Sequence, residues 1–435
     1  MSNQGIELWN KSKKIIPGGT QLLSKRSEMF LPEHWPSYYK SAKGVEIIDL
    51  DGNRYIDMSL MGVGCCILGY ADEDVNREVK KVIDQCSMCT LNSKEEVELA
   101  ETLIRIHPWA DKVRFARSGG EISTLAIRLA RAYTKKDKIA FCGYHGWHDW
   151  YLASNLSDNK NLDGHLLPGL NPLGVPRGLI NTSIPFEYNN IGQLYEIVEN
   201  NDVGTIIIEP LRHDEPKDKF LEKIKKVSEE IGAVLIFDEI SIGWRNNLGG
   251  IHLKYNVTPD MAIFAKAMSN GYPMAAVIGR GEIMDYAQKS FISSTYWTER
   301  IGPTASLATI HKLEKSKAWE HIAKIGQIIG ENWDKIAKER DLDITIKGPY
   351  SLITFFFNYN NSQELKTLFI QEMLERGYLA SNSVYVSYSH TEELLTNYFE
   401  SIDDVFRIIK NSIEKDNVKT LLKGPVAHSG FKRLT

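Results

Sequence analysis

The sequence predicts an α/β fold: a large domain with a mainly parallel central sheet, joined to a smaller α+β domain. Three observations carry that prediction. The runs 205–208, 233–237 and 261–264 are apolar without alternation, as in strands covered on both faces. A helical pattern over 216–231 separates the first two runs, giving a βαβ layout. The last third of the chain changes character, with helical patterns first and a strand-rich stretch after them.

Taken in order, residues 1–60 carry scattered turn signals such as Pro17-Gly18-Gly19. Residues 49–57 read as strand, Asp-Gly turn, strand, a hairpin with a structural role. Helical periodicity begins at 72 and runs to about 85. Ser93-Lys-Glu-Glu96 reads as a capping box opening a helix that ends near His107. Strands are expected at 112–116 and 138–142, with a helix over 121–134 between them. In the last third, helices are expected at 303–314 and 317–341, strand at 351–358, and helices at 362–376 and 400–414. The domains expected are an N-terminal segment 1–64 packing with the small domain, a large α/β domain 65–310, and a small α+β domain 311–435.

Composition narrows the function. At 435 residues, 43% hydrophobic and 25% charged, the chain is neither disordered, collagen-like nor coiled-coil. A net charge of −4 argues against a dedicated nucleic-acid binder. Five cysteines, an odd count, suggest a reducing compartment. Cys86-Ser-Met-Cys89 has no second pair to complete a zinc site, so no metal is expected. No apolar run approaches the roughly 18 residues of a membrane span, and the first residues lack a signal-peptide core. The expectation is a cytoplasmic protein with no membrane or nucleic-acid partner.

In open α/β sheets, ligands bind beyond the carboxyl ends of the strands. After 112–116 comes Arg117-Ser118-Gly119-Gly120-Glu121, and after 138–142 comes Gly143-Tyr144-His145-Gly146-Trp147-His148-Asp149. After 205–208 comes Glu209-Pro210, after 233–237 Asp238-Glu239-Ile240, and after 261–264 Ala265-Lys266-Ala267. Each piece has an ordinary explanation: Lys266 as a surface lysine, Asp238 as a helix cap, the glycines as a turn, the histidines as loop residues. Their conjunction at one sheet edge points to one chemistry. A helix N-terminus after Ser118 offers amides and a positive dipole end to a phosphate. Asp238 can hold a ring nitrogen protonated, Lys266 can form a Schiff base with an aldehyde, and Tyr144 offers a ring to stack on. That combination suits pyridoxal 5'-phosphate, with the protein supplying orientation.

From Pro17-Gly18-Gly19 to about residue 410, the sequence resembles the class III aminotransferases, pyridoxal-phosphate enzymes of fold type I, and among them the branch of glutamate-1-semialdehyde 2,1-aminomutase. The strongest segment, 113–133, parallels the family's V-R-F-x-N-S-G-T-E-A and A-I-R-L-A-R. Tyr144-His145-Gly146, Ile208-Glu209-Pro210, Phe237-Asp238-Glu239-Ile240, Pro259-Asp260, Lys266 and Gly271-Tyr-Pro273 come in the family's order. Leu173-Gly-Val-Pro176 and Pro185-Phe-Glu-Tyr-Asn-Asn190 resemble the aminomutase segment that gates the site. The resemblance implies that Lys266 carries the cofactor and shuttles protons, with Asp238 on the ring nitrogen. It also implies Ile240 and Tyr144 on the two ring faces, Ser118, Gly119 and Gly120 on the phosphate, and His145 beside the cofactor. Glu209 and Glu121 would line the site, and Arg26 stands where the branch has an arginine for the substrate carboxylate. Thr295 would reach a phosphate across the interface of a homodimer.

Three departures from the family pattern bear on substrate. Gly120 stands where the family has threonine, Arg117 where the aminomutase has asparagine, and the run after Thr295 is longer than the family's T-x-S-G-N-P. Altered loops on an intact cofactor site point to an aminotransferase that moves an amino group from a small donor to a small carbonyl acceptor, of hydroxylated or sugar type. Intramolecular transfer by an aminomutase is the alternative, and racemase or decarboxylase chemistry a remoter one. An inert binding protein is disfavoured because both Lys266 and Asp238 are present.

Overall fold

The computed structural model describes residues 3–165 and 167–431. The chain divides into two compact units: Glu73–Trp319, and Met1–Asp72 together with Glu320–Thr435. In the second of these, an antiparallel meander β1 (Tyr39–Lys43), β2 (Glu46–Asp49) and β3 (Arg54–Met58) gains a fourth, parallel strand from the far end of the sequence.

The larger unit holds β4 (Lys112–Ala116), β5 (Lys138–Cys142), β6 (Ser183–Pro185), β7 (Val203–Ile208), β8 (Val234–Asp238), β9 (Met261–Phe264) and β10 (Ala275–Gly279). They form one sheet in the order β4-β10-β9-β8-β7-β5-β6. The five strands from β9 to β6 are mutually parallel, whereas β10 runs antiparallel between β9 and β4. The unbroken apolarity of the central strands now has its cause. Phe141, Ile207, Ile236, Ile263 and Val277 face the core under the helix Gly119–Thr134. Their neighbours Cys142, Ile206, Ile208, Leu235 and Phe237 face a second core with Leu194, Phe220, Ile224 and Val227. Alternate residues of a strand point to opposite faces, so two covered faces demand apolar residues at every position.

The smaller unit continues with β11 (Ile344–Lys347), β12 (Leu352–Phe357), β13 (Tyr378–Ala380) and β14 (Ser383–Tyr385). β13 is the strand that pairs with β3, and β11-β12-β14 make a separate antiparallel sheet. Phe355 packs edge-on against Trp333, Phe369 and Phe406 from three helices. The last long helix, Glu392–Glu414, begins earlier than its apolar pattern suggested, with Thr391 accepting the Leu394 amide as its cap. Ser93 makes no capping hydrogen bond, so the expected capping box is not formed there. Among the described residues, no helix is long and apolar enough to cross a membrane.

The loop after β8 in the larger unit is held in place from inside. Glu239, with no exposed surface, accepts hydrogen bonds from the amides of Ile251 and His252 and from His252 Nδ1, at 2.9, 3.0 and 2.8 Å. The Trp109 indole can only donate, so His252 Nε2 accepts from it at 3.0 Å. His107 clamps the same loop: Nδ1 donates to the Leu103 carbonyl at 2.9 Å and Nε2 accepts from the Gly250 amide at 3.0 Å. Protonating Nε2 would set a donor against a donor. Burial above all, with His252 nearby, holds the His107 pKa down to about 3.

An unfolded histidine titrates near 6.5, so between about 6.5 and 3 the unfolded chain binds the proton that folded His107 refuses. Stability is therefore fully retained above about pH 6.5 and falls as the pH drops toward 3. His107→Gln should flatten this part of the curve of Tm against pH. Parallel curves for the two proteins would show that His107 does not govern it.

Candidate active site

The site assembles where the parallel strands end. β8 ends on Asp238, which is 3% exposed. Asp238 Oδ1 accepts the Ile240 amide at 3.0 Å, which turns the chain sharply after the strand. Asp238 Oδ2 lies 2.7 Å from His145 Nδ1, on the loop after β5. His145 Nε2 is 3.1 Å from the Cys142 carbonyl. A carbonyl only accepts, so Nε2 carries a hydrogen, and the remaining proton is shared between Nδ1 and Asp238. Burial pushes the Asp238 carboxyl up, and His145 pulls against it.

Glu209 comes directly after β7 and is also buried. Its Oε2 accepts the Tyr144 amide at 2.9 Å and an Arg212 N–H at 3.1 Å. Burial alone would raise its pKa, but Arg212, His145, the Tyr144 amide and Lys266 outweigh it and hold Glu209 low. Gly143 is required beside it: φ is +111°, and a Cβ there would lie 2.5 Å from Glu209 Oε2.

Lys266 comes after β9. Ala265 is extended, and Lys266 itself takes φ +46°, a left-handed conformation rare outside glycine. This turn brings Lys266 Nζ to 2.8 Å from Ser241 Oγ, on the loop that Glu239 and His107 secure.

After β4, Ser118 caps the helix Gly119–Thr134 in a complete capping box. Its hydroxyl accepts the Glu121 amide, and Glu121 Oε2 accepts the Ser118 amide at 2.9 Å. The same oxygen takes the Arg117 amide at 3.0 Å, and Oε1 takes the Trp297 indole N–H at 3.3 Å. Glu121, expected to line a substrate pocket, is thus engaged in holding the helix start. The Ile240 side chain rests on Gly119, where a Cβ would come within 3.2 Å of it.

Of the sequence candidates, the structure brings Asp238 to His145, Glu209 to Tyr144, and Ile240 to the Ser118–Gly120 turn. Thr295 is exposed, in the segment Thr295–Thr298, away from these contacts. Arg26 belongs to the other unit, where its guanidinium lies over Gly18 and 5.6 Å from the centre of the Phe431 ring. Sequence reasoning missed Ser241, Arg212 and His165, whose Nδ1 accepts the Gly143 amide at 3.1 Å. The first two come three or four residues after site strands, a usable signal; His165 lies far along a loop and has none.

Arg117 and the longer run after Thr295 turn out to be one feature. Arg117 Nε binds Glu299 Oε1 at 2.7 Å, and Nη2 donates to the Glu299 carbonyl at 2.8 Å. Glu299 in turn accepts the amides of Ile301 and Gly302, the first two residues of the helix Ile301–Ser316. Burial lowers the Arg117 pKa, with Glu299 opposing.

The family "Aminotransferase class-III" matches residues 32–412 of this chain. A 3-aminobutyryl-CoA aminotransferase from Cloacimonas acidaminovorans is 30% identical over 425 residues, covering 94% of this chain and 98% of that protein. A glutamate-1-semialdehyde 2,1-aminomutase from Fusobacterium nucleatum is 32% identical over 430 residues, covering 93% of this chain and 97% of its own. Among solved structures, the PLP form of the FumI protein of Sphingopyxis sp. MTA144 superposes with a TM-score of 0.86 at 21% identity, covering 97% of this chain and 100% of that one.

The Arg117 and Glu299 side chains are only 11% and 17% exposed, so each depends on the other for its charge. A double-mutant cycle with Arg117→Met and Glu299→Gln, measured by urea unfolding, should return a coupling of about 1–3 kcal/mol. Additive effects would mean that the two are not coupled.

Proposed function

The chain belongs to the class III aminotransferases, pyridoxal-phosphate-dependent transaminases of fold type I, and we propose that, with Lys266 as the lysine that holds the cofactor, it transfers amino groups to a small, hydroxylated carbonyl acceptor. The residues present fit the cofactor. The helix start at Gly119 and Gly120 has no side chains, and its first-turn amides have no carbonyl ahead of them to bond. A buried carboxylate ends β8, and a lysine amine is presented at the turn after β9.

Bound, pyridoxal phosphate supplies a carbonyl that captures amines and a ring that takes up electrons. In this reading the protein does the rest. Lys266 Nζ would remove the proton from the substrate carbon and return it to the carbon on the far side of the nitrogen, with Ser241 steadying that amine. Asp238, in contact with His145, would face the ring nitrogen and hold a proton there. Ser118, Gly119 and Gly120 would hold the phosphate, and Ile240 and Tyr144 would enclose the ring. Thr295, exposed on its own chain, is the residue a second copy would receive in a homodimer.

The acceptor reading is supported by a cavity of about 650 Å³ at the carboxyl ends of β5, β6 and β7, lined by polar and apolar groups in similar measure. It shares Gly143 and Glu209 with the site, and Lys160, Asn161, Gln193, Arg212 and His213 line it. Amides, imidazole and paired charges suit hydroxyl groups, which leave such groups satisfied. The aminomutase reading keeps its support in the relatives of that name at 29–33% identity.

Lys266→Ala should abolish turnover, by at least about 10⁴-fold given the scale of general acid–base and nucleophilic contributions, while the far-UV spectrum stays native. Retention of a few per cent of activity would remove Lys266 from this role. For the acceptor, the loaded enzyme is given glutamate or alanine and the released keto acid is followed by mass spectrometry. Hydroxylated aldehydes and ketones are then offered to the aminated form. Keto acid release followed by amination of a hydroxylated carbonyl is expected. Isomerisation of glutamate-1-semialdehyde without keto acid release would make the protein an aminomutase instead.

A further inference from the structure

His148 is a titratable side chain beside this site with no part in the amino transfer just described. A Cβ on Gly120 would lie 2.7 Å from both Cε1 and Nδ1 of His148. The space beside the second residue of the helix is therefore filled by an imidazole from another loop. That loop comes close to the helix start. Gly146, with φ +105°, lies so close that a Cβ on it would be 3.0 Å from the Gly120 Cα. Two glycines thus let the loop after β5 approach the helix start closely.

The ring itself is fixed. It stacks on Trp147, with centroids 4.5 Å apart and planes 26° apart, and the His148 carbonyl accepts the amides of Tyr151 and Leu152. Yet His148 Nδ1 is buried with no hydrogen-bond partner. A buried polar nitrogen left unpaired costs stability, and one packed beside the free amides of a helix N-terminus is placed to meet an anion.

We propose that His148 is a ligand of the cofactor phosphate, its imidazole supplying the hydrogen bond that a side chain on residue 120 would otherwise give. This rests on the phosphate lying at Ser118–Gly120. Without an anion, burial keeps the His148 pKa low, while Glu121 and Asp149 act to raise it. Arg128 and Arg131 line a second cavity, of about 490 Å³, together with His148. A phosphate in contact adds the dominant negative charge, so His148 should become protonated when the cofactor binds.

The test uses the full-length holoenzyme and tracks the ³¹P resonance of its bound cofactor across neutral pH. In the wild type the resonance should shift with one titration; in His148→Gln and His148→Ala that titration should vanish. His148→Ala should raise the cofactor Kd about ten- to a hundred-fold, the scale of one charge-assisted hydrogen bond. Adding Gly120→Ser to His148→Ala, now free of the clash, should recover most of that affinity, whereas Gly120→Ser alone should lower it. Melting curves of the cofactor-free proteins separate these effects from loss of fold. An unchanged ³¹P titration and a Kd within twofold of wild type in His148→Ala would overturn the proposal while leaving the phosphate cup intact. A wild-type resonance identical to the free ester would overturn the cup and this inference with it.

Discussion

The buried contact between Asp238 and His145 is the constraint on which the rest of the site depends. It joins the end of β8 to the loop after β5, two strands away in the sheet. A carboxylate this deep would take up a proton were nothing opposing burial. The imidazole opposes it through the hydrogen bond between His145 Nδ1 and Asp238, while the Cys142 carbonyl anchors the far side of the ring. Fixing His145 also fixes Tyr144 and Gly146 on either side of it. Those residues then set Glu209, through the Tyr144 amide, and the approach to the helix start, through Gly120.

Around that contact, the loops that carry chemistry are held by groups that carry none. Glu239 gathers two amides and an imidazole so that the segment with Ile240 and Ser241 stays against Lys266. Glu121 gathers two amides and an indole so that the helix start stays open. Glu299 does the same for the next helix while pairing with Arg117. In each case a carboxylate accepts several donors at or just before a helix start, where backbone amides have no carbonyl of their own. The order needed for catalysis is thereby taken from the scaffold and not from the substrate.

Much of this was legible in the chain. The strands β5, β7, β8 and β9 announce themselves because burial on two faces leaves no room for polar residues. The residue directly after each is a site candidate because that is where a parallel sheet opens. The place of β10 was not legible: Ala275-Ala-Val-Ile-Gly279 is as apolar as its neighbours, and an antiparallel strand inserted among parallel ones leaves no mark on its own residues. The Ser118–Glu121 box was readable in principle, yet it was placed at Ser93, where the same spacing makes no capping hydrogen bond. Spacing permits a cap, and only the local approach of the backbone decides whether it forms.

The sequence by itself determined the family, the cofactor and the edge of the sheet where chemistry occurs, because strand ends, glycine turns and a lysine after a buried strand are local signals. Tertiary structure alone decided what each side chain does there. Glu121 reads as a pocket residue until Trp297, distant in sequence, arrives at its carboxylate. Arg117 and the longer loop look like separate departures until Glu299 joins them. His148 looks like an ordinary loop histidine until Gly120 leaves its space empty. Burial, proton sharing and steric exclusion are properties of pairs, and the members of these pairs meet only when the chain folds.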